Sequence, residues 1–280
     1  MQKVGVVGAG TMGSGIAQCF ITSGYNVVLN DINSDYLRKA INKINNNLNY
    51  LVTKEKMTEI EKNEIIDRLE WSTDLSKLAG TDLIIEAVSE NMSSKIDVFK
   101  QLEKICNDRA IFASNTSALS ITEIAANIDR KEKVLGIHFF NPAPVMKLVE
   151  LIITDATSET TLQTIKKLFT TIGKEVVEIE ESPGFIVNRL LIPMINEAIF
   201  LLYEGIADKE DIDSAMKYGA NHPLGPLTLA DLIGLDICLM IMDTFYLEFR
   251  DSKYRACPLL RKKVRAGELG RKTGKGFYAY

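Results

Sequence analysis

The feature that most constrains this chain is the glycine turn near its start. A β-branched apolar run at 3–7 breaks into Gly8-Ala9-Gly10-Thr11-Met12-Gly13, and a helical pattern of Ile16, Ala17, Phe20 and Ile21 follows, closed by Gly24. A second apolar run, 25–30, begins at once and ends at Asp31. Strand, glycine turn, helix and strand in that order open a dinucleotide-binding βαβ unit. The first glycine permits the tight bend, the second lets backbone amides approach a pyrophosphate, and the third allows the helix to pack closely on the strand. A GxGxxG alone is weak. Its weight here comes from the strand before it, the helix after it and the acidic residue closing the next strand. A carboxylate at Asp31 accepts hydrogen bonds from the adenosine ribose hydroxyls and repels a 2′-phosphate, which favours NAD(H). Alternatively Asp31 only caps the helix beginning near Ser34, which leaves cofactor preference open.

From Asn33 to about Arg68 the pattern is helical and charged, too long for a single crossover helix, so a helical hairpin projecting from the sheet is expected. Short apolar strands recur at 82–87, 110–114, 133–138 and 146–153, with helices near 93–106 and 121–126 between them. This alternation predicts a doubly wound, mainly parallel α/β sheet. A helix at 158–171 and a strand at 175–179 lead to Glu181-Ser182-Pro183-Gly184, after which nearly every segment is helical. We therefore expect a nucleotide-binding domain over 1–183 and an all-helical domain over 184–280. The helix at 185–203 is apolar over most of its circumference and is expected between the domains or in a subunit interface.

Composition narrows the function. Thirty-three basic residues against 37 acidic ones give a formal charge of −4, the wrong sign for general nucleic-acid binding. No run approaches the roughly 20 apolar residues needed to cross a bilayer, and no signal-peptide pattern opens the chain, so a cytoplasmic protein without a membrane partner is expected. Four scattered cysteines show no CxxC pair or metal-type spacing, and no metal is expected. The partner should be a small molecule.

There are only two histidines. His138 ends a predicted strand just before Phe139-Phe140-Asn141-Pro142, where an open α/β sheet binds its ligands, so its imidazole is a candidate acid/base group. Standing alone it would pass for a loop-edge histidine. Glu150, however, interrupts an apolar strand on the face of Leu148 and Ile152, and a carboxylate there needs a partner. That partner is His138 on the neighbouring strand or a lysine or arginine, and spacing leaves the two readings even. Ser117 follows another strand and either offers a hydroxyl to the same crevice or caps a helix. Asn188 is a polar amide early on the most apolar helix, and spacing leaves open whether it meets a substrate or a backbone carbonyl. His222, in a proline- and glycine-bounded loop, is taken as structural.

With these residues in place, the chain resembles the L-3-hydroxyacyl-CoA dehydrogenases over essentially its whole length. The shared stretches are VGVVGAGTMGSGIAQ, ASNTSALSITEIA, GIHFFNPAPVMKLVELI, ESPGFIVNRLLIPMINEA, GPLTLADLIGLD and GKGFYAY. The resemblance is closest to bacterial members that act on 3-hydroxybutyryl-CoA. It implies a Rossmann-type N-terminal domain, a helical C-terminal domain that usually forms the dimer contact, and reversible NAD-dependent oxidation of (S)-3-hydroxyacyl-CoA in fatty acid and butyrate metabolism. Carried over, His138 is the acid/base, Glu150 orients it, and Ser117 and Asn188 hydrogen-bond the reacting substrate. Gly8, Gly10, Met12, Gly13 and Asp31 hold the cofactor. Glu90, Lys95 and Asn115 stand nearer the ribose and nicotinamide, Asn141 lies in the same crevice, and Lys275 comes from the tail. Lys54 and Lys56 of the hairpin are candidate partners for coenzyme A phosphates, against the plainer reading of a solvated charged helix face.

Two rivals remain at this level. Related lambda-crystallin and L-gulonate 3-dehydrogenase proteins share the layout but act on a sugar acid, against which the basic hairpin argues. A protein that binds NAD without turnover is the other, and such a binder needs neither His138 nor Glu150.

Overall fold

Strands whose side chains are apolar on both faces belong in the middle of a covered sheet, and among the strands buried at nearly every position are β1 (Lys3–Val7), β2 (Asn26–Asn30), β4 (Leu83–Glu86) and β5 (Ile111–Ser114), with β3 (Leu69–Ser72) at one edge. The structure, a computed structural model, describes residues 1–280 and divides into two compact units, Met1–Ser182 and Pro183–Tyr280. β6 (Val134–Phe139), β7 (Leu148–Ile153) and β8 (Glu175–Glu180) complete the first unit's eight-stranded sheet, in the order β3-β2-β1-β4-β5-β6-β7-β8. Every neighbouring pair is parallel except β6 and β7, which are antiparallel. The strand order changes direction between β1 and β4, which makes that gap the switch point where such sheets bind nucleotides.

Helices α1 (Thr11–Thr22), α2 (Ser34–Thr53), α3 (Glu59–Ile66), α4 (Met92–Ile105), α5 (Ile121–Ala125) and α6 (Glu159–Thr171) cover this sheet. Alternation along the strands decides which side chains face which helices. Val4, Val6, Leu83, Ile85, Ile111, Ala113, Leu135, Ile137, Val149 and Leu151 share one core with Ile16 and Phe20 of α1, Leu37 and Ile44 of α2, and Ile165 and Phe169 of α6. The intervening residues face the other way. There Phe112 meets Phe99 of α4 edge-on at 5.8 Å, and a Cβ on Gly136 would stand 3.1 Å from Ile121 of α5. Glu86, Ser114, His138 and Glu150 fall in this second phase, so four polar side chains line one face at neighbouring strand ends.

The expected strands form within one or two residues of their anticipated bounds. The segment after Asn33 is the expected helix pair: α2 buries Leu37, Ala40, Ile44 and Leu48 in the main core and packs on α1, while no residue from 49 to 64 is buried. β3 forms just beyond this segment, where no element was expected, its partner being β2 in parallel register from Val27↔Leu69.

The second unit is helical: α7 (Val187–Tyr203), α8 (Lys209–Gly219), α9 (Pro226–Ile233), α10 (Leu235–Phe249) and α11 (Pro258–Arg265). Ile192, Ile195 and Ile199 of α7 pack with Leu227, Cys238, Met242, Phe245 and Leu260 in that unit's own core, while Leu190 remains 71% exposed. Two buried aspartates hold a helix start and the chain's tail in place. Asp213 accepts from the Leu227 and Thr228 amides at the start of α9, which has no side-chain cap of its own. Asp231 accepts from the Phe277 and Tyr278 amides and so ties down the tail. No helix is long and apolar enough to cross a membrane.

Candidate functional site

The glycine turn is built by close backbone approach. Gly8 has φ +101°, and a Cβ there would stand 2.5 Å from the Ala87 carbonyl oxygen at the end of β4. A Cβ on Gly13 would lie 1.7 Å from the Gly8 carbonyl oxygen, whereas one on Gly10 would meet nothing within 4 Å. The first and third glycines are therefore fixed by the protein itself, and the second leaves space above the turn. The start of α1 is also open. Every other α-helix of the first unit has a side-chain cap, from Asn33, Thr58, Asn91, Ser120 and Ser158, but α1 has none and no acidic residue in its first turn. Unmet N–H groups at a helix start attract an anion, such as a pyrophosphate.

A cavity of about 710 Å³ opens at this point, lined by Gly8, Gly10, Met12, Asp31, Ala87 and Val88 among others. Asp31 is not the cap of α2, a role Asn33 takes by accepting from the Asp35 amide. Its carboxylate accepts from the Ala9 amide at 2.8 Å and from the Asn33 amide at 2.8 Å, which fixes a negative charge on the cavity wall beside the turn. Turn, open helix start and carboxylate together fit an NAD-type dinucleotide.

Farther along the sheet, His138 and Glu150 stand directly opposite in the antiparallel β6–β7 register. His138 Nδ1 lies 2.7 Å from Glu150 Oε2, with both residues buried. Cross-strand neighbours in such a pair meet because their Cβ atoms are about 5 Å apart. The Phe140 ring packs beside the imidazole, with centroids 4.6 Å apart. Of the two partners open for Glu150 on spacing alone, the structure supplies the histidine.

Ser117 is half-buried and is not a helix cap, since Ser120 caps α5. Its amide donates to Glu90 Oε1 at 2.8 Å, and Thr116 Oγ1 donates to the same oxygen at 2.6 Å. Asn115 Oδ1 accepts from the Phe139 amide at 2.9 Å, joining the ends of β5 and β6 next to His138. Lys95 differs from the ribose-side placement implied by resemblance: it is 1% exposed, and its ammonium bonds Glu86 at 2.9 and 3.1 Å and Glu90 at 3.2 Å. The chain's own carboxylates hold that cation.

Asn141 is exposed and is the second residue of the loop between β6 and β7. Lys54 and Lys56 are exposed beyond the end of α2, with the Lys54 ammonium 5.6 Å from the Tyr50 ring centre. Asn188 lies in the first turn of α7, and Lys275 pairs with Glu268 at 2.6 Å, both in the second unit. His222 sits in the loop after α8, its amide bonded to the Met216 carbonyl. All four cysteines are buried thiols. Burial pushes Cys106 up to about 11 and Cys238 up to about 12, which suits packing and not nucleophilic chemistry.

Two residues went unnoticed in the sequence. Glu86 is a fully buried carboxylate ending β4, and the reasoning applied to Glu150, a charge closing an apolar run, would have found it. Lys174 is 8% exposed and donates to the Ala143 and Met146 carbonyls at 2.6 and 2.7 Å, pinning the loop that joins β6 to β7. Its only sequence signal is a lysine following Gly173, which does not distinguish it from a surface lysine.

A doubly wound sheet with an open, glycine-built cradle at its switch point defines a dinucleotide-binding oxidoreductase. The family model described as "3-hydroxyacyl-CoA dehydrogenase, NAD binding domain" matches residues 3–182, and "3-hydroxyacyl-CoA dehydrogenase, C-terminal domain" matches 184–280. The chain belongs to the 3-hydroxyacyl-CoA dehydrogenase family, and its cofactor is NAD. It is 52% identical over 278 residues to the 3-hydroxybutyryl-CoA dehydrogenase of Clostridioides difficile, covering 99% of each chain. To that of Bradyrhizobium diazoefficiens it is 50% identical over 280 residues, covering 100% of this chain and 96% of the relative. The crystal structure of (S)-3-hydroxybutyryl-CoA dehydrogenase from Ralstonia eutropha matches with a TM-score of 0.96 at 48% identity, over 100% of this chain and 99% of that one.

Proposed function

We propose that the chain catalyses the reversible NAD-dependent oxidation of (S)-3-hydroxybutyryl-CoA, and of short-chain 3-hydroxyacyl-CoA more broadly, to the 3-oxoacyl thioester. The observation that carries this reading is the buried 2.7 Å contact between His138 Nδ1 and Glu150 Oε2. The names of relatives about half identical over the full length support the substrate.

The bound cofactor supplies the acceptor for the hydride that leaves the carbinol carbon. It would be held by Gly8, Gly10, Met12, Gly13 and Asp31, with Glu90, Lys95, Asn115, Asn141 and Lys275 assigned to the cofactor side by the family pattern. Of these, Lys95 would act through the carboxylates it holds. An ionised carboxylate only accepts hydrogen bonds, so opposite Glu150 the imidazole carries its proton on Nδ1. Nε2 is then the basic nitrogen, and it takes the proton of the substrate hydroxyl as the C–H bond breaks. The imidazolium that results lies against Glu150, whose negative charge stabilises it in a site of low dielectric. In the reverse direction the imidazolium returns the proton to the forming hydroxyl. The Ser117 hydroxyl and the Asn188 amide hydrogen-bond the reacting oxygen and thioester, holding them in line.

Lys54 and Lys56 are the proposed partners of the coenzyme A phosphates, their exposure leaving the ammonium groups accessible to a dianion. The second unit is proposed to carry substrate contacts and a homodimer contact, the exposed apolar Leu190 on α7 favouring the latter. A cytoplasmic place in fatty acid or butyrate metabolism completes the reading.

Initial rates of acetoacetyl-CoA reduction with NADH and NADPH in parallel, beside NAD reduction by L-gulonate, test it. The expected result is saturable acetoacetyl-CoA reduction with preference for NADH and none with L-gulonate. Stoichiometric NADH binding without turnover of any 3-oxoacyl-CoA would contradict it.

A further inference from the structure

The chemistry proposed above leaves one buried charge cluster without a task. Glu86 is 0% exposed, and each of its oxygens has two partners: Oε1 accepts from the Val88 amide at 2.7 Å and from Lys95 at 2.9 Å, and Oε2 accepts from Lys95 at 3.1 Å and from Ser114 Oγ at 2.6 Å. The Lys95 ammonium then reaches Glu90 Oε2 at 3.2 Å, while Glu90 Oε1 accepts from Thr116 Oγ1 and the Ser117 amide. A continuous path of charge-assisted hydrogen bonds thus runs from the Val88 amide, on the wall of the dinucleotide cavity, to the peptide N–H of Ser117. The Glu86 carbonyl adds a backbone strut by accepting from the Asn115 amide at 2.8 Å.

Stability does not explain such a cluster. The Glu86–Lys95 part of the cluster is withdrawn from water, with Glu90 at its partly exposed end, and well-packed apolar side chains of the same volume as a buried ion pair are commonly as stable or more so. What the cluster gains is geometry. Each bond fixes the direction of the next, and a fully satisfied buried network holds its members more rigidly than packing alone. The loop after β5 passes through Ser117 on its way to the Ser120 cap of α5, and within it Glu90 Oε1 takes both the Ser117 amide and the Thr116 hydroxyl, whose oxygen in turn accepts from the Ala118 and Leu119 amides.

We propose that Glu86 is a positioning residue for the reaction, acting through Lys95 and Glu90 to hold Ser117 where its hydroxyl meets the substrate. This rests on the reading in which Ser117 hydrogen-bonds the reacting substrate. Glu86 itself touches neither substrate nor cofactor. Removing its charge loosens Lys95, then Glu90, then the Ser117 peptide, so the loss falls on turnover and much less on nucleotide affinity.

The test is a double-mutant cycle of Glu86→Gln and Ser117→Ala, read as kcat and KM for acetoacetyl-CoA at saturating NADH, with the NADH Kd measured alongside. Glu86→Gln is expected to lower kcat roughly tenfold and to move the NADH Kd less than about threefold. The double variant should be no slower than about twofold below the worse single one, because both changes remove the same interaction. Glu90→Gln, at a half-exposed position, serves where Glu86→Gln fails to fold, and should couple to Ser117→Ala in the same way. Fully multiplicative losses, or a lowered melting temperature with wild-type kinetics, would overturn the proposal. An impaired Ser117→Ala beside unaffected Glu86→Gln and Glu90→Gln would overturn it alone. Wild-type kinetics in Ser117→Ala would instead overturn the assignment of Ser117 and the proposal together.

Discussion

The nucleotide cradle and the His138–Glu150 pair sit in one sheet and are made in opposite ways. The cradle is backbone: three glycines, an uncapped helix start and one carboxylate braced on two amides. The pair is side chain: an imidazole and a carboxylate from two strands, brought to 2.7 Å by antiparallel register and buried together. A cradle made of peptide groups can bind any ligand that presents a pyrophosphate, whereas a buried imidazole and carboxylate in contact, in the acid/base role proposed for them, would serve the moving of a proton. The first part should therefore fail in binding when altered and the second in turnover.

Substitutions on each side can break that division. The largest effect is expected from His138→Gln, which removes the base and should lower kcat about a thousandfold, within the range of general acid–base catalysis, while the NADH Kd moves less than about threefold. A comparable loss of NADH affinity would erase the distinction between the two parts. Gly13→Ala comes next. A Cβ there would lie 1.7 Å from a backbone oxygen, so the turn must shift. Overpacking of this kind costs about 2 kcal/mol, or roughly 30-fold in NADH Kd by calorimetry, with kcat at saturating NADH much less affected. The smallest is Asp31→Asn, which removes the charge at nearly the same volume and leaves one oxygen for the two amides that the carboxylate accepts from. The ratio of kcat/KM for NADPH over NADH should rise roughly tenfold, about 1.4 kcal/mol, below the repulsion of about 4 kcal/mol between unit charges 4 Å apart near a protein surface. An unchanged ratio would mean that the carboxylate only braces the turn.

The same contrast explains what the sequence disclosed. Gly8, Gly10 and Gly13 act within six positions of one another, and local spacing expresses their task directly. The strand alternation that put Glu150 on an apolar face also marked it as needing a partner, but register across β6 and β7 was required to choose histidine over a cation. Glu86 and Lys95 were harder. Lys95 lies in a helix whose other lysines are exposed, and only the approach of α4 to the end of β4 turns it inward. The helix pair after Asn33 was legible from its length, too great for a single crossover helix, but the stripe of Leu37, Ala40, Ile44 and Leu48 that ties α2 to the core beside α1 was not noted among its many charges. β3 was missed because Leu69-Glu70-Trp71-Ser72 is short and largely polar, as an edge strand can be. The second unit's helices followed their apolar period closely, since helix period is a local property, but the substrate contacts proposed for them are not written in that period.

The central claim is that Glu150 stabilises the charged imidazole of His138 during proton transfer. Its most direct test is kcat for acetoacetyl-CoA reduction by Glu150→Gln, with the NADH Kd measured on the same preparation. The account predicts kcat lower by about a hundredfold or more beside a nearly unchanged Kd. Wild-type turnover in a variant that still binds NADH would contradict it.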